Sequence, residues 1–453
     1  MIVVVGAGPA GLAAAWRAAL AGHEVTVVER APVVGGMAGS FEVAGVRVDH
    51  GSHRLHPSTP PEILGALREL LGDDLQVRPR NGRIRLLDHW VAFPLQTGDL
   101  LRRTPPRFAA RAALDAATGP LRRPRADTFA EVIRAGLGPA VLDTFYGPYA
   151  RKLWGVDASE LAGELARRRV SASSPLAIAR RLVRGARPEG RTFLYPRRGF
   201  GAIAEALADA AVAAGVDIRL GTGLRALKAG SELRVELDDG RTIDAAHVWS
   251  TAPLPVLARL TEPAPPEVPG LRHRAMVLLY LVLDRPPWTA FDAHYFPGPD
   301  VLASRVSEPR NYRDNPDDPG DTTVLCAEIA CDEGDAVWQA SDADLAQRLA
   351  DELAAAGLPR PSPVAVESRR LPRVYPLYRP GFADDLAALE RWAGTIPGLV
   401  TFGRQGLFTP DNTHHALAMG WAAADALRDA DGTFDTATWT AARDGFRSFV
   451  VED

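Results

Sequence analysis

The chain opens on a short apolar run, Val3-Val4-Val5, that breaks at Gly6-Ala7-Gly8-Pro9-Ala10-Gly11. An alanine-rich stretch from Leu12 to Ala21 follows, and a second run, Glu24-Val25-Thr26-Val27-Val28, ends on the acid Glu29. Short apolar runs bounded by turn residues read as buried strands, and the alanine-rich stretch reads as a helix. The pattern therefore predicts strand, glycine turn, helix and strand.

Similar patterning divides the rest of the chain. A helix is predicted over Ala202 to Ala214, a strand over Val216 to Leu220, and a hairpin of Leu233–Leu237 and Thr242–Ala245 turned at Asp239-Gly240. His247 to Ser250 and Leu399 to Phe402 read as further strands, and a last helix runs from about His414 to Arg428. Between these pieces lie a mainly helical stretch and a mixed one. The mixed stretch holds strands Met276–Leu283 and Val324–Ala330 and a helix over Asp342 to Ala356. The segment Asn311 to Asp321, rich in Asp, Asn and Pro, is predicted to be a surface loop.

Composition narrows the class. With 453 residues, 46% hydrophobic and 24% charged, the chain is long enough for two domains and reads as soluble and globular. A net charge of -4 gives no reason to expect nucleic acid as a partner. Lys152 and Lys228 are the only lysines, so positive charge is almost all arginine. Cys326 and Cys331, at i and i+5 on one strand, should point to opposite faces, and they suggest neither a disulfide framework nor a metal site. No run reaches the roughly 18 apolar residues of a membrane span. The expected compartment is cytoplasmic.

The glycine turn carries the first chemistry. Gly6 permits the sharp turn, Gly8 lets the backbone approach a pyrophosphate, and Gly11 lets helix and strand pack closely. The helix opening there aims unpaired N–H groups and a positive dipole end at phosphate. Glu29, eighteen residues after Gly11, can take both hydroxyls of an adenosine ribose.

Arg30 to Ser40, with its Gly35-Gly36-Met37, resembles the second glycine motif of FAD-binding proteins related to glutathione reductase and the amine oxidases. The stretch Phe145 to Asp157, with Tyr149, Lys152 and Trp154-Gly155, is similar to the substrate-domain segment of UDP-galactopyranose mutases and of protoporphyrinogen-oxidase-like proteins. Asp49 to His56 fits the same group.

The implied fold is α/β with an α+β substrate part: a Rossmann-like FAD-binding domain of the glutathione reductase type, interrupted by a helical insertion and a mixed-sheet substrate domain. The expected boundaries are 1–85, 195–264 and 396–453 for the cofactor domain, 86–194 for the helical insertion and 265–395 for the mixed domain.

The motifs and the resemblance together assign to FAD Gly6, Gly8, Pro9, Ala10, Gly11, Glu29, Arg30, Gly35, Gly36, Met37, Gly51, Ser52, His53, Leu224, Thr251, Gly403, Arg404, His415 and Ala416. His53, Tyr149, Tyr378 and Arg379 are the candidates for the reacting side, because an aromatic beside an arginine suits a sugar, a phosphate or a carboxylate. Arg404 is expected to face the pyrophosphate or ribityl chain. No cysteine follows Cys331, so FAD is expected to be held non-covalently.

The resemblance also has departures. Aligned on Trp154, the position where the mutases grip a diphosphate with arginine is Ala172, with Arg167, Arg168 and Arg169 nearby. The tyrosine-rich stretch expected after Arg404 is replaced by Gln405 to His415. The primary expectation is thus an FAD-dependent oxidoreductase that takes hydride from a small organic substrate. A redox-neutral mutase of a nucleotide-linked sugar and a non-catalytic flavin-binding protein are the alternatives. The Arg-rich stretch of Arg180, Arg181, Arg184 and Arg187 reads first as a solvated helix packed by its aliphatic side, with a weak contact to an anionic membrane surface as the alternative. The oligomeric state is left open.

Overall fold

The opening apolar run, Ile2–Val5, is the middle strand of a five-stranded parallel sheet. Across the sheet the order is Leu399–Thr401, His247–Ser250, Ile2–Val5, Val25–Val28 and Asp217–Arg219. Three separated pieces of the sequence thus meet in one sheet. The computed structural model describes residues 1–94, 99, 102–169, 191–268, 270–427 and 432–451.

Alternation along the central strand explains its burial on both sides. Ile2 and Val4 pack with the helices Pro9–Leu20, Ala202–Ala213 and Thr413–Asp425. Val3 and Val5 pack on the opposite face, against the antiparallel hairpin Leu233–Leu237 and Thr242–Ala245 and the helix Phe382–Gly394. Helices Pro9–Leu20 and Thr413–Asp425 cross closely because Gly420 lies against Ala10. A Cβ at Gly420 would stand 2.3 Å from the Ala10 carbonyl oxygen.

A second sheet of seven strands is built on His273–Asp284, flanked by Ala365–Pro376 and Thr322–Cys331. Val277, Leu279 and Leu281 pack on Leu345, Leu349 and Leu353 of the helix Asp342–Ala355. Met276, Leu278 and Tyr280 face the other way, onto Val43, Val46 and Val48 of the first domain. Cys326 and Cys331 fall into these two different cores, as their spacing implies.

Two expectations are corrected here. Strand Gly82–Leu86 pairs with Ala293–Tyr295 and with His89–Phe93, so it belongs to the seven-stranded sheet although it was assigned to the first piece. The segment from Asn311 is not wholly a surface loop. Tyr312 and Arg313 are buried, since an aromatic ring and an arginine paired with Asp318 can be taken into the protein where Asp and Pro alone would not. The insertion between the pieces is helical over Pro106–Thr118, Phe129–Leu137, Gly147–Trp154 and Gly163–Arg169. The Arg-rich stretch of Arg180 to Arg187 and Ala172 lie outside the described residues.

Candidate functional site

The three glycines of the first turn do different work. Gly6 has φ +107°, and a Cβ there would fall 2.2 Å from Thr251 Oγ1. At Gly11 a Cβ would stand 2.0 Å from the Gly6 carbonyl oxygen, so this residue lets the helix sit against the turn. At Gly8, the N-cap of Pro9–Leu20, no atom lies within 4 Å of an added Cβ. The turn is therefore packed behind Gly6 and Gly11 and open in front of Gly8, at the start of a helix with its amides unpaired.

Glu29 closes the same turn. Its Oε2 accepts from the Ala7 amide at 2.9 Å and its Oε1 from the Ala31 amide at 2.8 Å. A carboxylate has about four acceptor positions, so capacity for two hydroxyls remains. Gly35 donates its amide to the Ala7 carbonyl at 2.8 Å, which ties the second glycine loop onto the first.

A cavity of about 570 Å³ starts at this turn and runs to the second sheet. Gly6, Gly8, Pro9, Ala10, Glu29, Arg30, Gly36, Met37, Gly51, Ser52, His53, Leu224, Thr251, Gly403, Arg404 and Ala416 line it, and so does Tyr149. Gly11 and Gly35 stand behind the lining and shape it. The far wall is made by Tyr295, Arg305, Glu328, Leu371 and Tyr375. An open cradle at a helix start, an acid with spare acceptors and an elongated cavity beyond them fit a dinucleotide with a ring system at its far end.

His53 sits on this lining with its Nε2 3.0 Å from the His50 carbonyl and its ring stacked on Phe200. A carbonyl only accepts, so Nε2 carries the proton. Burial lowers the pKa of His53, and that of His50, which keeps both rings neutral. His53 thus orders its loop as well as facing the cavity.

Sequence reasoning missed the polar network beside it. Ser52 donates its amide to Glu328 Oε1 at 2.7 Å, and Arg305 grips the same carboxylate at 2.7 and 2.8 Å. Arg54 donates to the Tyr295 hydroxyl at 3.0 Å and pairs with Asp292 at 3.2 Å. Ser52 Oγ and the Tyr312 hydroxyl share a hydrogen bond. The available signal was Glu328, a lone charge inside the apolar strand Thr322–Cys331.

Several assignments move. Tyr378 does not reach the cavity: it is buried, stacks on Phe382 at 3.9 Å and donates its hydroxyl to the Phe408 carbonyl at 2.8 Å. The strand ends at Pro376, so the alternation that turns Tyr375 to the cavity no longer governs Tyr378. Arg379 is exposed and outside the lining. His415 is also outside it. Its Nδ1 accepts from the Asn412 amide at 3.3 Å and its ring stacks on Phe449, so it caps the last helix while its neighbour Ala416 faces the cavity. Arg404 lines the cavity, but its two Nη atoms donate to the carbonyls of Asp411 and Val374 at 3.0 and 2.8 Å. Those bonds tie the loop before the last helix to the second sheet and use two of the five guanidinium donors, with Arg404 still on the lining. Trp154 is a core residue, packed with Phe129 and Leu153.

Among the described residues, no helix is long and apolar enough to cross a membrane.

The family model for flavin-containing amine oxidoreductases matches residues 9–426. Among solved structures, the chain is similar to a reduced UDP-galactopyranose mutase, with TM-score 0.82 and 20% identity over 100% of this chain and 99% of that one. It is also similar to a proposed protoporphyrinogen oxidase from Exiguobacterium sp. 255-15, with TM-score 0.71 and 22% identity over 93% of this chain and 98% of that one. At these identities the likeness is one of fold. A phytoene dehydrogenase of Streptomyces griseus is 47% identical over 77 residues, which is 17% of this chain and 15% of that protein.

Proposed function

The chain belongs to the flavin-containing amine oxidoreductase family, and from that membership we propose a non-covalent FAD-dependent oxidoreductase acting on a small organic substrate. The observation that carries this reading is the continuous cavity, which joins the Gly8 cradle and Glu29 to a wall from the second sheet. When bound, the flavin supplies a two-electron acceptor, the chemistry that side chains lack.

The chain's own residues bind, orient and exclude water. Gly8, the first amides of Pro9–Leu20 and Glu29 would hold the dinucleotide's phosphates and ribose. Thr413 and Ala416 lie on the cavity at the start of the helix Thr413–Asp425, whose dipole favours negative charge there. Met276, Leu371 and the ring of Tyr375 supply the apolar part of the far end, beside the Arg305–Glu328 pair. His53, neutral and held by His50, contributes a fixed polar ring. Both cysteines are buried in the second sheet and neither lines the cavity, which supports a non-covalent cofactor.

Anaerobic mixing of the yellow holoprotein with candidate substrates tests the proposal: a true substrate bleaches the visible absorption without oxygen or added reductant. A redox-neutral rearrangement of a nucleotide-linked sugar is the second reading, favoured by the arginines Arg54, Arg169 and Arg305 on the lining. In that case substrate leaves the oxidised absorption untouched and turns over only after dithionite is added.

A further inference from the structure

The family's name directs attention to amines, yet the charges around the cavity are arranged for the opposite kind of molecule. Glu29, Asp238 and Glu328 are the carboxylates on the lining among the described residues. Glu29 belongs to the glycine turn, and Asp238 accepts from the Gly223 amide at 2.9 Å. Glu328 is neutralised by Arg305, whose Nε and Nη2 both donate to its carboxylate. None of the three is left to meet an ammonium group at the far end.

Cationic side chains do reach that end. Tyr375 is the point of convergence: Glu328 and the three arginines Arg169, Arg305 and Arg404 all act on its hydroxyl, and Arg169 and Arg404 lie 5.5 and 5.8 Å from its ring centroid. Arg305 is held by Glu328, and Arg404 by two backbone carbonyls. Arg169 differs from both. Its guanidinium lies over the rings of Tyr375 and Trp154, at 5.5 and 5.4 Å from their centroids. It has neither an ion pair nor a hydrogen bond among the described residues. Stacking holds the plane of a guanidinium while leaving its N–H edge free to bond.

The two arginines beside it in sequence show what a merely structural role looks like. Arg167 pairs with Asp127 at the surface, and Arg168 is buried against Glu164 and Asp411. A positive charge at the end of the helix Gly163–Arg169 is already supplied by those two, so the helix does not need Arg169 for its dipole.

We propose that Arg169, seated on Tyr375 and Trp154, is the specificity-determining residue of the substrate end and that the substrate carries an oxyanion group, a carboxylate or a phosphate, which this guanidinium grips. The inference rests on the oxidoreductase reading of the same cavity and names its substrate class. A planar guanidinium matches either group with two parallel hydrogen bonds. An amine placed there would meet uncompensated positive charge.

The test uses FAD-replete protein, so that pyrophosphate cannot enter the glycine turn, and calorimetric titration with pyrophosphate, benzoate and benzylamine. One or both anions should bind, benzylamine should not, and Arg169→Gln should weaken anion binding about tenfold or more with flavin content unchanged. Arg169→Lys, which keeps the charge and loses the fork, should fall between the two. Binding of pyrophosphate alone assigns a phosphorylated substrate, and binding of benzoate alone a carboxylate. Tighter binding of benzylamine than of either anion, no anion binding, or full affinity in Arg169→Gln overturns the inference. A chain that holds no FAD overturns the oxidoreductase reading instead, and flavin absorbance distinguishes the two failures.

Discussion

The Glu29 carboxylate accepts a hydrogen bond from the Ala7 amide at 2.9 Å, across the glycine turn. The residue read as a ribose acceptor is therefore also a brace for the loop that would hold the phosphates. Glu29→Ala removes both functions. Hydrogen bonds to a charged group contribute about 1.5–3 kcal/mol each, so FAD-free protein should lose stability as well as affinity. Thermal unfolding of the FAD-free chain should show a midpoint several degrees lower in Glu29→Ala. An unchanged midpoint with weakened FAD binding would leave the carboxylate a cofactor role alone.

Gly8 and Gly11 should separate cofactor loss from fold loss. A side chain at Gly8 enters open space in front of the turn, whereas one at Gly11 meets the Gly6 carbonyl at 2.0 Å. Gly8→Val should fold normally and purify colourless. Gly11→Ala should be destabilised by about 1–3 kcal/mol, the usual cost of forcing atoms into a packed site. Flavin absorbance per chain and unfolding midpoint, measured on both, check the contrast. A yellow Gly8→Val protein would refute the phosphate placement.

What the sequence disclosed follows from how local each feature is. Gly6, Gly8, Gly11 and Glu29 sit within one strand-turn-helix-strand unit, where backbone conformation and close packing dictate residue type at fixed spacing. The hairpin at Asp239-Gly240 was legible for the same reason, with Gly240 at φ +85°. The far wall was not. Arg169, Arg305, Glu328 and Tyr375 come from four separate elements, and only tertiary packing brings them together. The error over Tyr378 is instructive: an aromatic beside an arginine does lie on the cavity, as Tyr375 with Arg169, but the strand ends one residue after Tyr375. A pattern that counts residues past the end of its strand points at the wrong face.

Tyr378→Phe should accordingly act on stability and leave substrate handling alone. The change strips the Phe408 carbonyl of its partner inside the protein, and an unsatisfied buried acceptor costs about 1–3 kcal/mol. KM and flavin content should match wild type while the unfolding midpoint drops. A changed KM at an unchanged midpoint would return Tyr378 to the substrate site.

The last expectation concerns acid. His53 and His50 are both held below the ordinary histidine value of 6.5, chiefly by burial, with Asp49 acting in the opposite sense on each. Glu328 also raises His53, and Arg305 lowers it. Because the folded form resists protonation, the unfolded chain takes up more protons as pH drops below 6.5. The stability from these neutral rings is therefore fully present above that value and is lost as pH falls through the interval down to the folded pKa. His53 also orders the loop of Gly51 and Ser52 through the His50 carbonyl, so acid should loosen cofactor retention too. His53→Gln keeps an N–H donor for that carbonyl but cannot titrate. The wild-type midpoint and FAD retention should fall more steeply than the variant's between about pH 7 and about pH 5, the span in which histidine charges. Parallel slopes for the two proteins would show that His53 is not the group that senses acid.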